Sequence, residues 1–202
     1  MVHHVSVSFY FQIDDDGPAR ILRLTSPDGT NRLTRACGLA LTAVLADLKD
    51  KLQLRPLIIA GNRHFFSVGA DLNEIAALTG TEAYQFSAMG QTLMNAIASY
   101  PAPIIAAIEG HCMGGGLDLA LACHRRIAAP YAIFGHRGAA LGLMTGWGGT
   151  QRLPRLIGKG RALELFSAAE KISATRALEI GLVDAIADDP IAEALRQLQP
   201  PR

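Results

Sequence analysis

The segment "HCMGGGLDLALAC", residues 111–123, places three consecutive glycines directly before an apolar run that favours a helix. Glycine is unfavourable inside a helix, so this order predicts a helix that begins at the end of the glycines. A helix start exposes unpaired N–H groups and the positive end of the helix dipole. Without side chains at Gly114, Gly115 and Gly116, a bound molecule can approach those groups closely. The same glycines also permit a tight reversal or close packing, and their spacing leaves both interpretations open.

One carboxylate, Asp118, follows the glycine run and is surrounded by leucines at 117, 119 and 121. An acid in the first turn of a helix is favoured by the dipole, which is a sufficient structural reason for its presence. A carboxylate in apolar surroundings is also a candidate for proton transfer. Asp118 is therefore the first candidate catalytic residue.

The order strand, loop and helix occurs twice, and each loop carries a glycine at the entry to its helix. The first unit has a strand at 56–61, a loop at 62–70 with Gly69, and a short helix from Ala70. The second has a strand at 103–108, a loop at 109–115, and the helix at 116–123. This repetition predicts an α/β domain with its working loops at strand ends. One N–H donor from each loop would form an oxyanion hole, a pair of donors for an oxygen that gains negative charge.

The rest of the chain predicts short strands and amphipathic helices. Thr34, Thr81 and Ser173 are the expected helix N-caps, and Gly181 is expected to end a helix in the left-handed (αL) conformation. We expect strands at 5–13 and 19–25, which form a hairpin, and at 125–135 and 182–187. We expect the remaining helices at 34–51, 81–99, 139–144, 150–158, 160–170, 173–181 and 191–199.

Composition narrows the class of protein. The 202 residues are 50% hydrophobic with a net charge of +1, which is typical of a globular domain and disfavours nucleic acid or a membrane surface as a partner. Cys37, Cys112 and Cys123 are odd in number and lack metal-ligand spacing, so we expect buried free thiols and no metal site. No targeting segment or membrane span is predicted, and the expected location is the cytoplasm.

Several motifs in order resemble the signatures of the crotonase family, the enoyl-CoA hydratase/isomerase superfamily. They are "NRHFFSVGADLNEI" (62–75), "HCMGGGLDLALAC" (111–123), "FGHRGAALGL" (134–143), "GGTQRLPRLIGKGRALEL" (148–165) and "ISATRALEIGLVDAI" (172–186). The resemblance implies an α/β spiral of repeated ββα units in one domain over 1–202, with a core at about 5–187. It also implies a homotrimer or hexamer and a shortened C-terminal helical region, with a short helical tail at 188–202.

The resemblance further implies an acyl-CoA substrate whose thioester enolate is stabilised by two backbone N–H groups, those of Ala70 and Gly115. Coenzyme A is then part of the substrate, and no separate cofactor is expected. The substrate-binding residues that the resemblance implies are Ala70, Asp71, Leu72, Asn73, Gly114 and Gly115.

The sequence departs from the family pattern at one of two acids. Hydratases of the family use two carboxylates; the first falls at Asp118, but the second falls at Gly138, which cannot transfer a proton. His136 and Arg137 lie beside that glycine and are candidate auxiliary residues. We expect a Gly138→Glu change to raise hydration if the geometry accommodates it. The chain also ends before the helices that cover the site in most members, so the cover is absent, comes from another subunit, or was lost by truncation.

The sequence is compatible with three functions. The first is an enoyl-CoA hydratase or isomerase in which Asp118 moves the proton. The second is decarboxylation of a malonyl-type acyl-CoA, which needs the oxyanion hole but no strong base. The third is a catalytically impaired acyl-CoA-binding scaffold, favoured by Gly138 and by the short C-terminus.

Overall fold

The structure is a computed structural model that describes residues 5–14, 17–50 and 53–199. The strands in these ranges are β1 Val5–Val7, β2 Phe11–Asp14, β3 Arg20–Leu24, β4 Arg32–Leu33, β5 Leu57–Ala60, β6 Phe65–Ser67, β7 Gly69–Ala70, β8 Ile104–Ile108, β9 His111–Met113, β10 Arg125–Ala128, β11 Ile133–Gly135, β12 Lys171–Ser173 and β13 Ala185–Ile186. The α-helices are α1 Arg35–Lys49, α2 Leu72–Ala76, α3 Gly80–Ala98, α4 Gly115–Ala122, α5 Gly149–Ile157, α6 Lys159–Ala168, α7 Ala174–Glu179 and α8 Pro190–Gln197. A short 3₁₀ turn covers Ala139–Leu141.

A seven-stranded sheet in the order β1-β2-β3-β5-β8-β10-β13 forms the centre of the molecule. The first three strands are antiparallel neighbours, and from β3 to β13 the neighbours are parallel. Parallel strands are usually covered on both faces, which explains why β5 ("LIIA") and β8 ("IIAAI") are apolar throughout rather than alternating.

Alternate residues of β5 enter different hydrophobic clusters. Leu57 and Ile59 belong to the main core, which contains buried residues of α1, α3 and α4. Ile58 and Ala60 belong to a second cluster that includes Ala194 of α8, so this C-terminal helix covers the opposite face of the sheet. Within the described ranges, no helix combines the length and apolar character that a membrane span requires.

A second sheet places the two glycine loops together. Strands β6 and β9 follow β5 and β8, and they pair in parallel in a four-stranded sheet with β11 and β12. Because β5 and β8 are themselves parallel neighbours, with Leu57 opposite Ile104, the segments that leave their carboxyl ends emerge at one edge. The loops of the two units therefore meet, as the repeated pattern predicts.

The structure corrects several predicted boundaries. The strand expected at 5–13 is two strands, because the chain reverses between Ser8 and Tyr10 and β1 folds back onto β2. The loops expected at 62–70 and 109–115 contain β6, β7 and β9, since each of these short segments pairs with a partner distant in sequence.

Two of the three predicted helix N-caps agree with the structure, and the third is displaced by two residues. Thr34 and Ser173 cap α1 and α7 through their hydroxyl groups, and Gly181 has the expected positive φ of 80°. The cap of α3 is Thr79 rather than Thr81, because Glu82 returns to the Thr79 amide at 2.9 Å in a capping box.

All three cysteines are buried free thiols, as the sequence predicts. Burial raises the pKa of both Cys37 and Cys123 to about 12. For Cys112, burial is again the main cause of a pKa well above the usual value, with smaller contributions from the neighbouring Cys123 and Asp118. These thiols are therefore packing groups, because the thiolate is the reactive form.

The central sheet gives a stability prediction. Leu57→Ala removes a side chain with 0% exposure from β5 and should lower the free energy of unfolding by about 2–5 kcal/mol. Leu39→Ala on α1 is the matched control, because Leu39 is 55% exposed and should change stability by less than about 0.5 kcal/mol. Urea unfolding followed by circular dichroism measures both; equal losses would contradict this account of the core.

Candidate active site

A cavity of about 450 Å³ opens where the two glycine loops meet. Most of the predicted site residues line it: Ala70, Leu72, Gly114, Gly115, Asp118, His136, Arg137 and Gly138. Apolar side chains from α3 and from the segment 139–147 line much of the remainder, including Phe86, Leu141, Leu143, Met144 and Trp147. The cavity therefore combines an apolar wall with one buried carboxylate.

The amide nitrogens of Ala70 and Gly115 are close neighbours. A β-carbon added to Gly115 would lie 3.2 Å from the Ala70 nitrogen, and one added to Gly69 would lie 2.6 Å from the Gly115 nitrogen. Gly115 is the first residue of α4, so its N–H has no acceptor within the helix. The structure thus brings together the two predicted donors, which are 45 residues apart in the numbering.

Buried polar contacts hold the first donor loop in place. The Gly69 amide donates to the Ser67 hydroxyl at 3.1 Å, and that hydroxyl donates to the carbonyl of Asn31 at 2.6 Å. Gly69 has φ +91°, a left-handed conformation that favours glycine. The Ser67 hydroxyl and the Asn31 carbonyl therefore hold the turn at Gly69, and neither residue was predicted to do so.

Close packing explains the glycine at 115. The six-membered ring of Trp147 lies against this position, and a β-carbon there would approach its Cζ3 atom to 2.7 Å. Trp147 is itself fixed by a 3.3 Å hydrogen bond from its indole nitrogen to the Phe86 carbonyl. The close-packing interpretation of the glycine run therefore applies at Gly115, whose position also lies beside the Ala70 nitrogen.

Asp118 is 2% exposed and contacts His136, which is 6% exposed. The distance from Nε2 of His136 to Oδ1 of Asp118 is 3.3 Å. The other carboxylate oxygen, Oδ2, accepts a hydrogen bond from the hydroxyl of Thr145. The sequence predicted the nearness of Asp118 and His136 only through the family resemblance, and it did not identify Thr145.

The start of α5 also lies against this carboxylate. A β-carbon at Gly149, the first residue of α5, would lie 2.1 Å from Oδ1 of Asp118. The helix dipole there, like that of α4, favours a negative charge. Arg152 of the same helix is close enough to interact with Asp118: burial lowers the pKa of its guanidinium, and the carboxylate opposes that change.

Position 138, where the resemblance implies a second acid, has no space for a side chain. A β-carbon on Gly138 would lie 2.6 Å from the carbonyl oxygen of Leu143. The loop is held in this form because the amides of Leu141 and Leu143 both donate to the Gly138 carbonyl at 2.8 Å. The expectation that Gly138→Glu raises hydration required space for the glutamate side chain. The loop leaves no such space, so that requirement is not met.

Two of the predicted substrate-binding residues, Asp71 and Asn73, do not line the cavity. Asp71 caps α2 by accepting hydrogen bonds from the amides of Asn73 at 2.8 Å and Glu74 at 3.3 Å. It also lies 3.9 Å from the guanidinium of Arg32. In this structure Asp71 stabilises the turn that follows Ala70.

Comparison with known proteins identifies the family. The model of the enoyl-CoA hydratase/isomerase family matches residues 19–198. A probable enoyl-CoA hydratase of Bacillus subtilis (strain 168) is 47% identical over 150 residues, which cover 74% of this chain and 58% of that protein. The fatty acid oxidation complex subunit alpha of Shewanella halifaxensis (strain HAW-EB4) is 41% identical over 175 residues, 84% of this chain and 25% of that protein. The chain thus spans less than two thirds of either relative.

The crystal structure of an enoyl-CoA hydratase from Bacillus anthracis superposes with a TM-score of 0.87 at 34% identity. The match covers 94% of this chain and 76% of that one, which is the longer of the two. This likeness confirms the predicted α/β fold. The chain belongs to the enoyl-CoA hydratase/isomerase family, the crotonases.

Proposed function

We propose that this chain catalyses proton transfer on an enoyl-CoA thioester, as a hydratase or a double-bond isomerase, through a stabilised enolate. The observation that carries the proposal is the placement of two adjacent amide nitrogens, those of Ala70 and Gly115, at the cavity that Asp118 lines. The family and its named hydratase relatives support the same class of substrate.

The two amides would act on the thioester carbonyl oxygen. Both N–H groups donate to this oxygen as it gains negative charge, and the amino end of α4 adds its dipole. Donors of this kind act strongly in a site from which water is excluded, where removal of one costs roughly 3–4 kcal/mol. Because a side chain at Gly115 would contact both Trp147 and the Ala70 nitrogen, glycine keeps this approach open.

Asp118 would transfer the proton in either reaction. In hydration, its carboxylate takes a proton from water as the water oxygen bonds to the β-carbon, and the electrons of the double bond move to the thioester as an enolate. The α-carbon of the enolate then takes the proton back from Asp118. In isomerisation of a 3-enoyl thioester, Asp118 takes a proton from the α-carbon and returns it to the γ-carbon.

His136 is the residue that compensates for Gly138. Its ring contacts Asp118 directly, and it lines the same cavity, whereas position 138 has no space for a carboxylate. We assign His136 the role of fixing one oxygen of Asp118 so that a single acid serves both proton steps. A buried carboxylate with such a partner favours proton transfer over the scaffold and decarboxylase alternatives.

The first test removes the base. Asp118→Asn keeps the shape of the side chain and should lower turnover by about 10²–10⁴-fold, the usual contribution of a general base. Crotonyl-CoA hydration is followed as loss of the conjugated thioester absorbance, and isomerisation of a 3-enoyl-CoA as its appearance. Asp47→Asn, on the exposed face of α1, is the matched control and should retain activity. Unchanged turnover in Asp118→Asn would exclude Asp118 as the base.

The second test concerns the oxyanion hole. Gly115→Ala places a methyl group 2.7 Å from Trp147 and 3.2 Å from the Ala70 nitrogen, so it should lower kcat/KM by about 10²-fold or more. Gly160→Ala is the control, because a β-carbon there meets nothing within 4 Å. Normal kcat/KM in Gly115→Ala would show that the oxyanion hole lies elsewhere.

The third test concerns the closed loop. Gly138→Ala should destabilise the fold by about 1–3 kcal/mol, because the added methyl meets the Leu143 carbonyl at 2.6 Å. Gly138→Glu should therefore give no gain in hydration. Thermal unfolding beside Gly160→Ala measures the stability effect, and a fully stable, more active Gly138→Glu protein would contradict this geometry.

A further inference from the structure

We propose that Thr145 is a positioning residue for Asp118: its hydroxyl holds one oxygen of the carboxylate and thereby orients the base in the cavity. This inference rests on the proposed function. It concerns a residue on the segment that runs from His136, directly after β11, to Gly149, the first residue of α5; Gly138 lies on the same segment. In that segment the position of the usual second acid is closed, while three other positions contact Asp118.

The contacts account for both carboxylate oxygens. Oδ2 accepts the hydrogen bond from Thr145, and Oδ1 lies 3.3 Å from Nε2 of His136. The backbone at Gly149 closes the remaining side, since a β-carbon there would lie 2.1 Å from Oδ1 and 2.9 Å from Cγ2 of Thr145. The carboxylate is therefore enclosed by three groups from one segment.

This enclosure matters because aspartate must act at a defined distance from the thioester. A carboxylate joined through a single methylene turns about its terminal torsion unless its oxygens are held. Loss of one hydrogen bond to the charged group would allow that rotation without removing the base itself. Thr145 is half-buried and lines the cavity, so its removal affects the reacting region directly.

Substitution by valine tests the hydroxyl while keeping the shape of the side chain. Thr145→Val should lower kcat by about 10- to 100-fold, the usual effect of losing one hydrogen bond to a charged group, and should change KM by less than about threefold. Thr145→Ser keeps the hydroxyl and should recover most of that loss. Thr92→Val is the matched control, because Thr92 is exposed on α3 and its hydroxyl donates only to the Ala88 carbonyl.

A second measurement reports proton abstraction by Asp118 separately from the hydration reaction. Exchange of the α-protons of butyryl-CoA in D₂O, followed by proton NMR, reports enolate formation. Thr145→Val should slow exchange by the same factor as kcat, and Asp118→Asn should abolish it. If the wild-type protein and Asp118→Asn exchange equally, the proposed function fails, and the inference fails with it.

The remaining outcomes concern Thr145 alone. If exchange depends on Asp118 but Thr145→Val matches the wild type, the positioning role is wrong and the proposed function stands. A loss of kcat that is accompanied by a lower melting temperature and is not recovered in Thr145→Ser also overturns the inference, because it indicates a purely structural role.

Discussion

The parallel pairing of β5 with β8 is the constraint on which the candidate site depends. It aligns Leu57 with Ile104, so the chain leaves both strands at one edge of the sheet. Burial on both faces fixes this register, because a shift by one residue would exchange the side chains of the two clusters. Once the register is set, the segments that follow the two strands meet, and the amide nitrogens of Ala70 and Gly115 become neighbours.

The second constraint is a carboxylate kept in an apolar interior. A buried charge is costly unless it is paired and hydrogen-bonded. Asp118 meets this requirement through groups that a different part of the chain supplies: a hydroxyl, an imidazole and the start of a helix. The segment from β11 to α5 is therefore held against α4 by polar contacts with Asp118 as well as by packing.

The sequence allowed prediction of those features that are local or repeated. The glycines at 69 and 114–116, the apolar runs of β5 and β8, and the acid at 118 stand out within a few residues of sequence as candidates for turns, strands and a site. The small second sheet was missed because β6 and β9 are three residues each and are stabilised by pairing rather than by their own propensity.

Some contacts of the candidate site were also missed, because they too join residues that are distant in sequence. The contact between Thr145 and Asp118 was not predicted, because the two residues lie 27 positions apart and no local pattern links them. Ser67 and Trp147 are similar cases, since their partners lie on other elements. The motif resemblance predicted Ala70, Gly115 and Asp118 as site residues, but the groups that contact them follow from packing that only the folded chain shows.

The backbone around Gly138 explains why glycine stands at the position where the resemblance implies a second acid. Gly138 adopts ordinary helical φ and ψ values of −55° and −44°, so it is not required for a backbone conformation that other residues avoid. It is required because the Leu143 carbonyl occupies the space of a side chain. The turn that brings Leu143 over Gly138 also leads the chain to Thr145 and then to Gly149, both of which contact Asp118. The backbone path that closes the position of one carboxylate is thus the path that fixes the other.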